Sequence, residues 1–377
     1  MAAGLMAGGT PTAAPTRGGQ VTGEAAAPLL SVIIPALNEA VSLPLLFADL
    51  QRQQGVSLEV IVGDGGSVDA TRAVVEAAGG RLVPARRGRG AQMNAAANLA
   101  RGEYLLFLHA DSRLPETGLL ADALSELQTS ATAGPRVAGH FRLSFIRSHA
   151  GGDLFYRYME AKTALNRVNT TNGDQGLLLS RAFFDELGGF DESLPILEDQ
   201  RIAEKIRATG TWITLPGSLL TSARRFETEG LRRRYLLMGI MMGLYSVGEE
   251  EFFRRAPGVY RVQHETGRLL LSPIFALLWR MVRQDWRARG TFRVFYRLGR
   301  YIRQNAWQLF FFLDVLMPGR SEAGHTPCLR LHDRFVARYI AFPPVDFLVG
   351  CGCFIWYMVI LAAWFSLTEG RAPAAGE

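Results

Sequence analysis

Several short stretches of this chain carry side chains suited to chemistry on a phosphate-bearing ligand. Pro35, Ala36, Asn38 and Glu39 close one apolar run, Asp64 and Gly65 close a second, and His109 and Asp111 close a third. An acid at a strand end, such as Asp64, accepts hydrogen bonds from a base or a ribose, and Asn38 and Glu39 offer further ribose contacts. Asp111 is the natural ligand for Mg2+ or Mn2+, cations that take oxygen donors and need few protein ligands. Such a cation stabilises a phosphate leaving group as its bond breaks. Glu198 and Asp199 stand side by side at the head of a helical pattern. Their side chains diverge, so one can take a proton in a cleft while the other favours the helix dipole. Arg224 and Arg225 add fixed charge with a fork that matches phosphate oxygens. Singly, Asn38, Ser67 and Asp111 read as ordinary loop or capping residues; together, at three strand ends, they make a candidate site.

The elements that must position these residues alternate in type. Residues 30–35, 59–64, 81–84 and 104–109 read as strands, and 42–52, 70–78 and 90–100 as helices. This alternation predicts a parallel sheet covered on both faces. Ligands then gather beyond the carboxyl ends of the strands, which brings the three clusters to one rim. After Asp111 the pattern is mixed, with a strand at 137–145, a tight polar segment at 172–176, a helix from Glu198 to about Thr209 and a strand at 211–215.

The chain has 377 residues and a net charge of +6, carried almost wholly by arginine, since lysine occurs only at 162 and 205. That balance suits phosphate ligands or an anionic membrane surface; no nucleic-acid reading motif accompanies it. Cys328, Cys351 and Cys353 make neither a disulfide framework nor a zinc pattern. Residues 1–28 read as a disordered tail. Phe347 to Leu367 contains no charged residue, and as a helix it has the length of a bilayer span, roughly 30 Å. With Arg330, Arg334 and Arg338 before it, the positive-inside rule predicts one crossing of the cell inner membrane with the main body cytoplasmic. Between them, Phe292 to Met317 reads as a helix with Arg293, Arg297, Arg300 and Arg303 on one arc. Val294, Phe295, Leu298, Tyr301 and Ile302 fall on the other. Such a helix lies either in a membrane interface or against the protein. The expected division is a tail at 1–28, an α/β domain at 29–228, an amphipathic helical region at 229–344, a span at 345–367 and a tail at 368–377.

Six segments in fixed order carry a family resemblance: SVIIPALNE at 31–39, VGDGGSVDAT at 62–71, RRGRGAQMNAA at 86–96, LLFLHADSRLP at 105–115, GDQGLLLSRAFFDELGGFDE at 173–192 and LEDQRIAEKIR at 197–207. Residues 31 to about 228 thereby resemble glycosyltransferase family 2, with the GT-A nucleotide-diphospho-sugar transferase fold, a Rossmann-like mixed sheet flanked by helices. HADSRLP, GDQG and TSARRFE (221–227) resemble a bacterial subgroup of small transferases. The resemblance implies inverting transfer from a nucleotide-diphosphate sugar to an acceptor hydroxyl or phosphate. It assigns Pro35, Ala36, Asn38, Glu39, Asp64 and Gly65 to the nucleotide pocket, and Asp111, the last acid of Asp-x-Asp, to metal and phosphate. Asp199, beside Glu198, becomes the base. Arg89, Gln92 and Asn94 belong to a loop approaching the donor, and Asp174 and Gln175 to the acceptor side. His109 replaces the first acid of Asp-x-Asp, and as a neutral imidazole it would ligate a metal or touch ribose. No Gln-x-x-Arg-Trp follows Asp199, which argues against a processive polysaccharide synthase. The expected acceptor is a membrane-associated polyprenyl phosphate or glycolipid; the competing expectation is a catalytically inactive, membrane-tethered nucleotide-binding scaffold. The resemblance does not reach residues 230–377.

Overall fold

The computed structural model describes residues 29–261, 267–317 and 325–369, so the expected tail at 1–28 and most of that at 368–377 lie outside the described residues. Seven strands are present: β1 Leu30–Ala36, β2 Leu58–Asp64, β3 Arg81–Pro84, β4 Tyr104–Phe107, β5 Val137–Ile146, β6 Leu177–Ser180 and β7 Thr211–Ser222. They form one sheet in the order β3-β2-β1-β4-β6-β5-β7. The first four strands are all parallel, as the alternation predicts. β6 then runs antiparallel between β4 and β5, which makes the sheet mixed. Its three leucines are too few to show a period, and the sequence pattern gives them no type.

Alternation along each strand sorts the apolar residues to two faces. Val32, Ile34, Val62 and Leu106 point to one face, under Leu43, Leu46 and Leu50 of α1 (Leu43–Gln51), Val75 of α2 (Thr71–Ala77) and Leu120. Ile33, Ile61, Leu105 and Phe107 point to the other. There α3 (Arg89–Ala97) contributes Met93 and Ala96, while Leu119–Ala131 forms α4 on the first face. Each fully buried Val, Leu or Ile contributes about 1.5–3 kcal/mol. A one-residue slip in any strand would invert both faces at once. That penalty fixes which strand ends meet at the rim.

Asp153–Thr163 forms α5, Arg181–Glu186 α6 and Glu198–Thr209 α7. Beyond the sheet, α8 (Arg224–Glu229), α9 (Leu231–Ser246), α10 (Glu250–Arg261), α11 (Ser272–Met281), α12 (Arg287–Gln304) and α13 (Trp307–Leu316) follow. A helix at Pro343–Thr368 ends the described chain. These helices build a second core around Leu237, Phe252, Leu271, Phe275 and Leu298, and Ile196 and Leu197, just before α7, pack against it. The two halves therefore join beside the head of α7. A smaller cluster joins α5 to α13 through Tyr158, Met159, Trp307 and Phe311.

The single helix expected over 292–317 is two. Asn305 caps the end of α12: its side-chain amide donates to the Tyr301 carbonyl at 2.9 Å, beside its own backbone N–H, which bonds the same carbonyl at 3.1 Å. Val294, Phe295 and Leu298 are buried against protein. They face the C-terminal helix, which α12 meets at Gly299 and Gly350; a Cβ on Gly299 would lie 2.0 Å from the Asp346 carbonyl oxygen. Of the two expected seats for this apolar arc, the protein is the observed one. Pro343–Thr368 spans 26 residues at mean hydropathy 2.1, and among the described residues it is the one helix long and apolar enough to cross a membrane.

Candidate active site

The rim begins where β1 and β2 end, at register partners Ala36 and Asp64. Asp64 is buried and accepts both the Ser67 hydroxyl at 2.5 Å and its N–H at 3.1 Å. The Asn38 N–H donates to Ser67 Oγ at 2.9 Å, and Asn38 Oδ1 accepts the Val68 N–H at 2.9 Å. Asn38 holds this bridge at φ +58°, a left-handed conformation that Asn adopts more readily than most residues. Glu39 donates its N–H to Thr71 Oγ1 at 2.9 Å, leaving its carboxylate at the rim. The side chains of Pro35 and Ala36 lie in the sheet core, so these two shape the backbone of the pocket and present no side chain to a ligand.

Three amides expected to face substrate hold backbone together instead. Gln92 is buried and donates to the Ala36 carbonyl at 2.6 Å and the Gly63 carbonyl at 3.1 Å, tying β1 to β2. A Cβ on Gly65 would approach Gln92 Nε2 to 2.9 Å, so the turn after Asp64 needs a glycine there. Asn94 clips the 190–192 loop, accepting the Phe190 N–H at 2.9 Å and donating to the Phe190 carbonyl at 2.9 Å. Gln175 accepts the Asn172 N–H at 2.8 Å and donates toward His140 Nδ1 at 2.9 Å. Gln92 and Gln175 are buried and Asn94 is half-buried, and the bonds of all three brace the backbone around the site.

The charged centre lies where β4 ends. His109 Nδ1 bonds Asp174 Oδ1 at 2.5 Å, and Arg89 Nη1 approaches His109 Nε2 at 3.3 Å. Burial works against a charged ring, but the bond and charge of Asp174 outweigh it and raise the His109 pKa above 6.5. Burial likewise opposes the Asp174 carboxylate, yet the bond to His109 holds its pKa well below the usual range. Asp174 thus orients the His109 ring through one nitrogen, while the other faces Arg89. Arg89 Nε pairs with Glu198 Oε1 at 3.1 Å, and Glu198 is buried. Burial raises the Glu198 pKa, Arg89 pulls it down and Asp199 pushes it up; the net direction is up. Glu198 thus faces Arg89 inside the protein. Burial also opposes charge on Arg89, but Glu198, Asp199, Asp174 and Asp111, in that order, hold its pKa above the ordinary value. One guanidinium lies within electrostatic reach of four acids drawn from three separate segments.

Asp199, half-buried, accepts the Gly173 N–H at 2.7 Å. A Cβ on Gly173 would lie 2.8 Å from His109 Nε2 and 3.6 Å from Asp199 Oδ2, so the two side chains flank that glycine. They open on a cavity walled by Met93, Phe107, Thr171, Phe190 and Trp212. Arg224 and Arg225, exposed at the head of α8, act electrostatically on Glu39, as does Asp111. The order of causes on Glu39 is burial, the Ser42 bond, Asp111, Arg225 and Arg224, with a net rise in pKa. Among the described residues no three His, Cys, Asp or Glu side chains are grouped to hold a metal ion. One or two carboxylates, Asp111 with Glu39 near it, fit a cation whose remaining ligands are substrate phosphates and water. Two features escaped the sequence reading. The Arg89–Glu198 pair has no local signal, and the left-handed φ of +66° at Leu197 occurs at a residue with no preference for it.

Residues 31–188 match the model of glycosyl transferase family 2. Proteins described as PGL/p-HBAD biosynthesis glycosyltransferases, from Mycobacterium bovis and Mycobacterium tuberculosis, are 36% identical over 138 residues, 35% of this chain. That match spans 46% of those relatives' length. Among solved structures, a Pyrobaculum calidifontis mannosyltransferase in complex with GDP-Man and Mn2+ is 21% identical over 90% of this chain and 88% of its own, at a TM-score of 0.44. Staphylococcus aureus TarS with UDP-GlcNAc is 16% identical over 82% of this chain and 92% of its own, at 0.42. Over residues 31–188, then, the chain is similar to glycosyl transferase family 2.

Proposed function

We propose that the chain is an inverting glycosyltransferase that moves a sugar from a nucleotide-diphosphate donor to a hydroxyl or phosphate of a membrane-associated lipid or glycolipid. The observation that carries this reading is Asp199, which the Gly173 N–H holds on a cavity shared with His109, with Arg89 in electrostatic reach of both Asp199 and Asp111. Asp64, Asn38 and Glu39 hold the base and ribose. Arg224 and Arg225 face the diphosphate. Asp199, oriented by the Gly173 N–H, takes the proton of the acceptor hydroxyl as its oxygen bonds the anomeric carbon. The bond from that carbon to the donor phosphate breaks on the opposite face, and the diphosphate leaves with the electron pair. One displacement inverts the anomeric centre. Asp111 would hold a divalent cation, which would supply charge neutralisation to the leaving group when bound. The apolar C-terminal helix attaches the chain to a bilayer. Arg330, Arg334 and Arg338 ahead of it favour the anionic cytoplasmic leaflet of the inner membrane.

The test is incubation with a panel of radiolabelled nucleotide sugars and either membrane lipid extract or cytosol, with Mn2+, Mg2+ or chelator. Label entering the organic phase in a cation-dependent way supports the reading. Label entering only water-soluble product would remove the lipid acceptor, and donor binding without transfer to any fraction would leave the inactive scaffold.

A further inference from the structure

The C-terminal helix is packed against the protein from end to end. Asp346, Gly350, Cys353, Met358, Ala362 and Phe365 are buried in sequence along it. The spacing is three or four residues, except for five between Cys353 and Met358, and there Ile355–Leu361 winds as a π-helix. That extra residue in the turn keeps the inner stripe aligned with the protein through all 26 residues.

Both ends are tied to the same body. At the first, Asp346 bonds Arg303 at 2.5 Å and Arg300 at 3.2 Å. At the last, the Glu369 carboxylate is fully buried, pairs with Arg233, and accepts the N–H groups of Leu271 at 2.9 Å and Ser272 at 2.7 Å. Arg233 lies near the start of α9, eight residues beyond Arg225. A single crossing would place the two tied ends on opposite sides of a bilayer. It would also carry α12, which meets this helix at Gly299 and Gly350, into hydrocarbon with Arg293 and Arg297 exposed and no acid among the described residues paired with either. Arginines without an acidic partner do not face acyl chains.

The outward stripe is the reverse. Leu348, Ile355, Trp356, Val359, Trp364 and Leu367 are exposed. Leu309 and Leu313 of α13 are exposed as well. Tryptophan favours the boundary between headgroups and acyl chains, and nearby arginines suit anionic headgroups. The helix is apolar all round in sequence; the protein covers one side and thereby makes it amphipathic.

We propose that this helix does not cross the membrane but lies in the plane of one leaflet, inner stripe on the protein and outer stripe among the acyl chains. The catalytic rim and both ends of the helix then share one aqueous side. This goes beyond the transferase reading and does not depend on it.

The test uses the full chain with Cys328→Ser, Cys351→Ser and Cys353→Ala, carrying one new cysteine at Thr368, at Phe342, or at Arg72 on the catalytic domain. Membrane-impermeant maleimide is applied to inside-out and right-side-out vesicles. All three positions are expected to label from the same side, with at least tenfold preference. Labelling of Thr368→Cys only from the side opposite Arg72→Cys would establish a crossing and overturn the proposal. Should the cysteine-free chain fail to fold, native protein bound to anionic vesicles is digested with carboxypeptidase from outside. Removal of the C-terminus from vesicles whose catalytic domain is also outside supports the proposal, and its protection overturns it. A chain that ignores vesicles and sediments as a dimer, with Trp356→Cys forming a disulfide-linked pair, would assign the face to a second copy and overturn it too. Transfer measured in the same vesicles reports the enzymatic reading separately.

Discussion

The sheet domain and the helical region that follows it spend their charged and apolar residues in opposite ways. At the rim, arginine and acids from distant segments are drawn inward around a cleft, and Arg89 with Glu198 is partly withdrawn from water. In the helical region, Arg293 and Arg297 stand outside, and the apolar side chains of the C-terminal helix stand outside with them. Exposed apolar surface on this scale marks an interaction site. The contrast teaches that one chain handles its two kinds of side chain differently: the first half gathers charge around a cleft, and the second leaves one stripe of its apolar C-terminal helix uncovered.

The comparison breaks most sharply at Arg89. Replacing it by Met leaves Glu198 as a buried, unpaired acid and removes the charge that gathers Asp111 and Asp199. A loss of about 3 kcal/mol in stability is expected, with transfer abolished, as read by urea unfolding and activity. Adding Glu198→Gln should restore most of the stability and none of the activity. Next is Gly299→Leu, which drives a side chain into the Asp346 backbone. Limited proteolysis should show the C-terminal helix released, at a cost of about 2–3 kcal/mol, while nucleotide binding at the rim is unchanged. Gln175→Leu leaves the Asn172 N–H without its acceptor. It should cost about 1–3 kcal/mol and raise KM for acceptor more than for donor, because the segment it braces carries Gly173.

The smallest effect lies at the seam between the halves. Burial lowers the Lys162 pKa from 10.5 to about 8. Below pH 8 the folded state carries the cost of that buried charge. From 8 to 10.5 the unfolded lysine keeps its proton while the folded one has lost it, so stability rises with pH across that window. Lys162→Met should therefore stabilise the chain at pH 7 by about 1–2 kcal/mol, with the gain shrinking toward pH 10.5 in thermal melts. A gain independent of pH would place the cause in packing.

What was legible in the sequence follows the same division. Strand runs such as LSVIIP report local physics, and the parallel half of the sheet was readable from them. So was the placing of Asp111 and Asp199 near one another at the rim, because strand ends and helix heads have fixed places in such a sheet. The bracing bonds of Gln92, Asn94 and Gln175 were not legible, because polarity alone does not say which backbone group an amide meets and only tertiary structure supplies it. The pairing of His109 with Asp174 was hidden for the same reason, since its partner comes from another segment. The C-terminal helix reads from composition as a crossing, whereas its seat depends on Asp346, Glu369 and the glycines at 299 and 350, which no local pattern connects.

Calorimetric titration of UDP and GDP with Mn2+ into Asp111→Asn and Asp199→Asn, paired with transfer assays on the same preparations, is the most direct test that one acid grips the departing phosphates and the other readies the acceptor. Asp199→Asn is expected to bind nucleotide as the wild type does and to lose transfer by 10²-fold or more, whereas Asp111→Asn loses nucleotide affinity at least tenfold. Unchanged affinity in Asp111→Asn, or wild-type transfer by Asp199→Asn, would contradict the account.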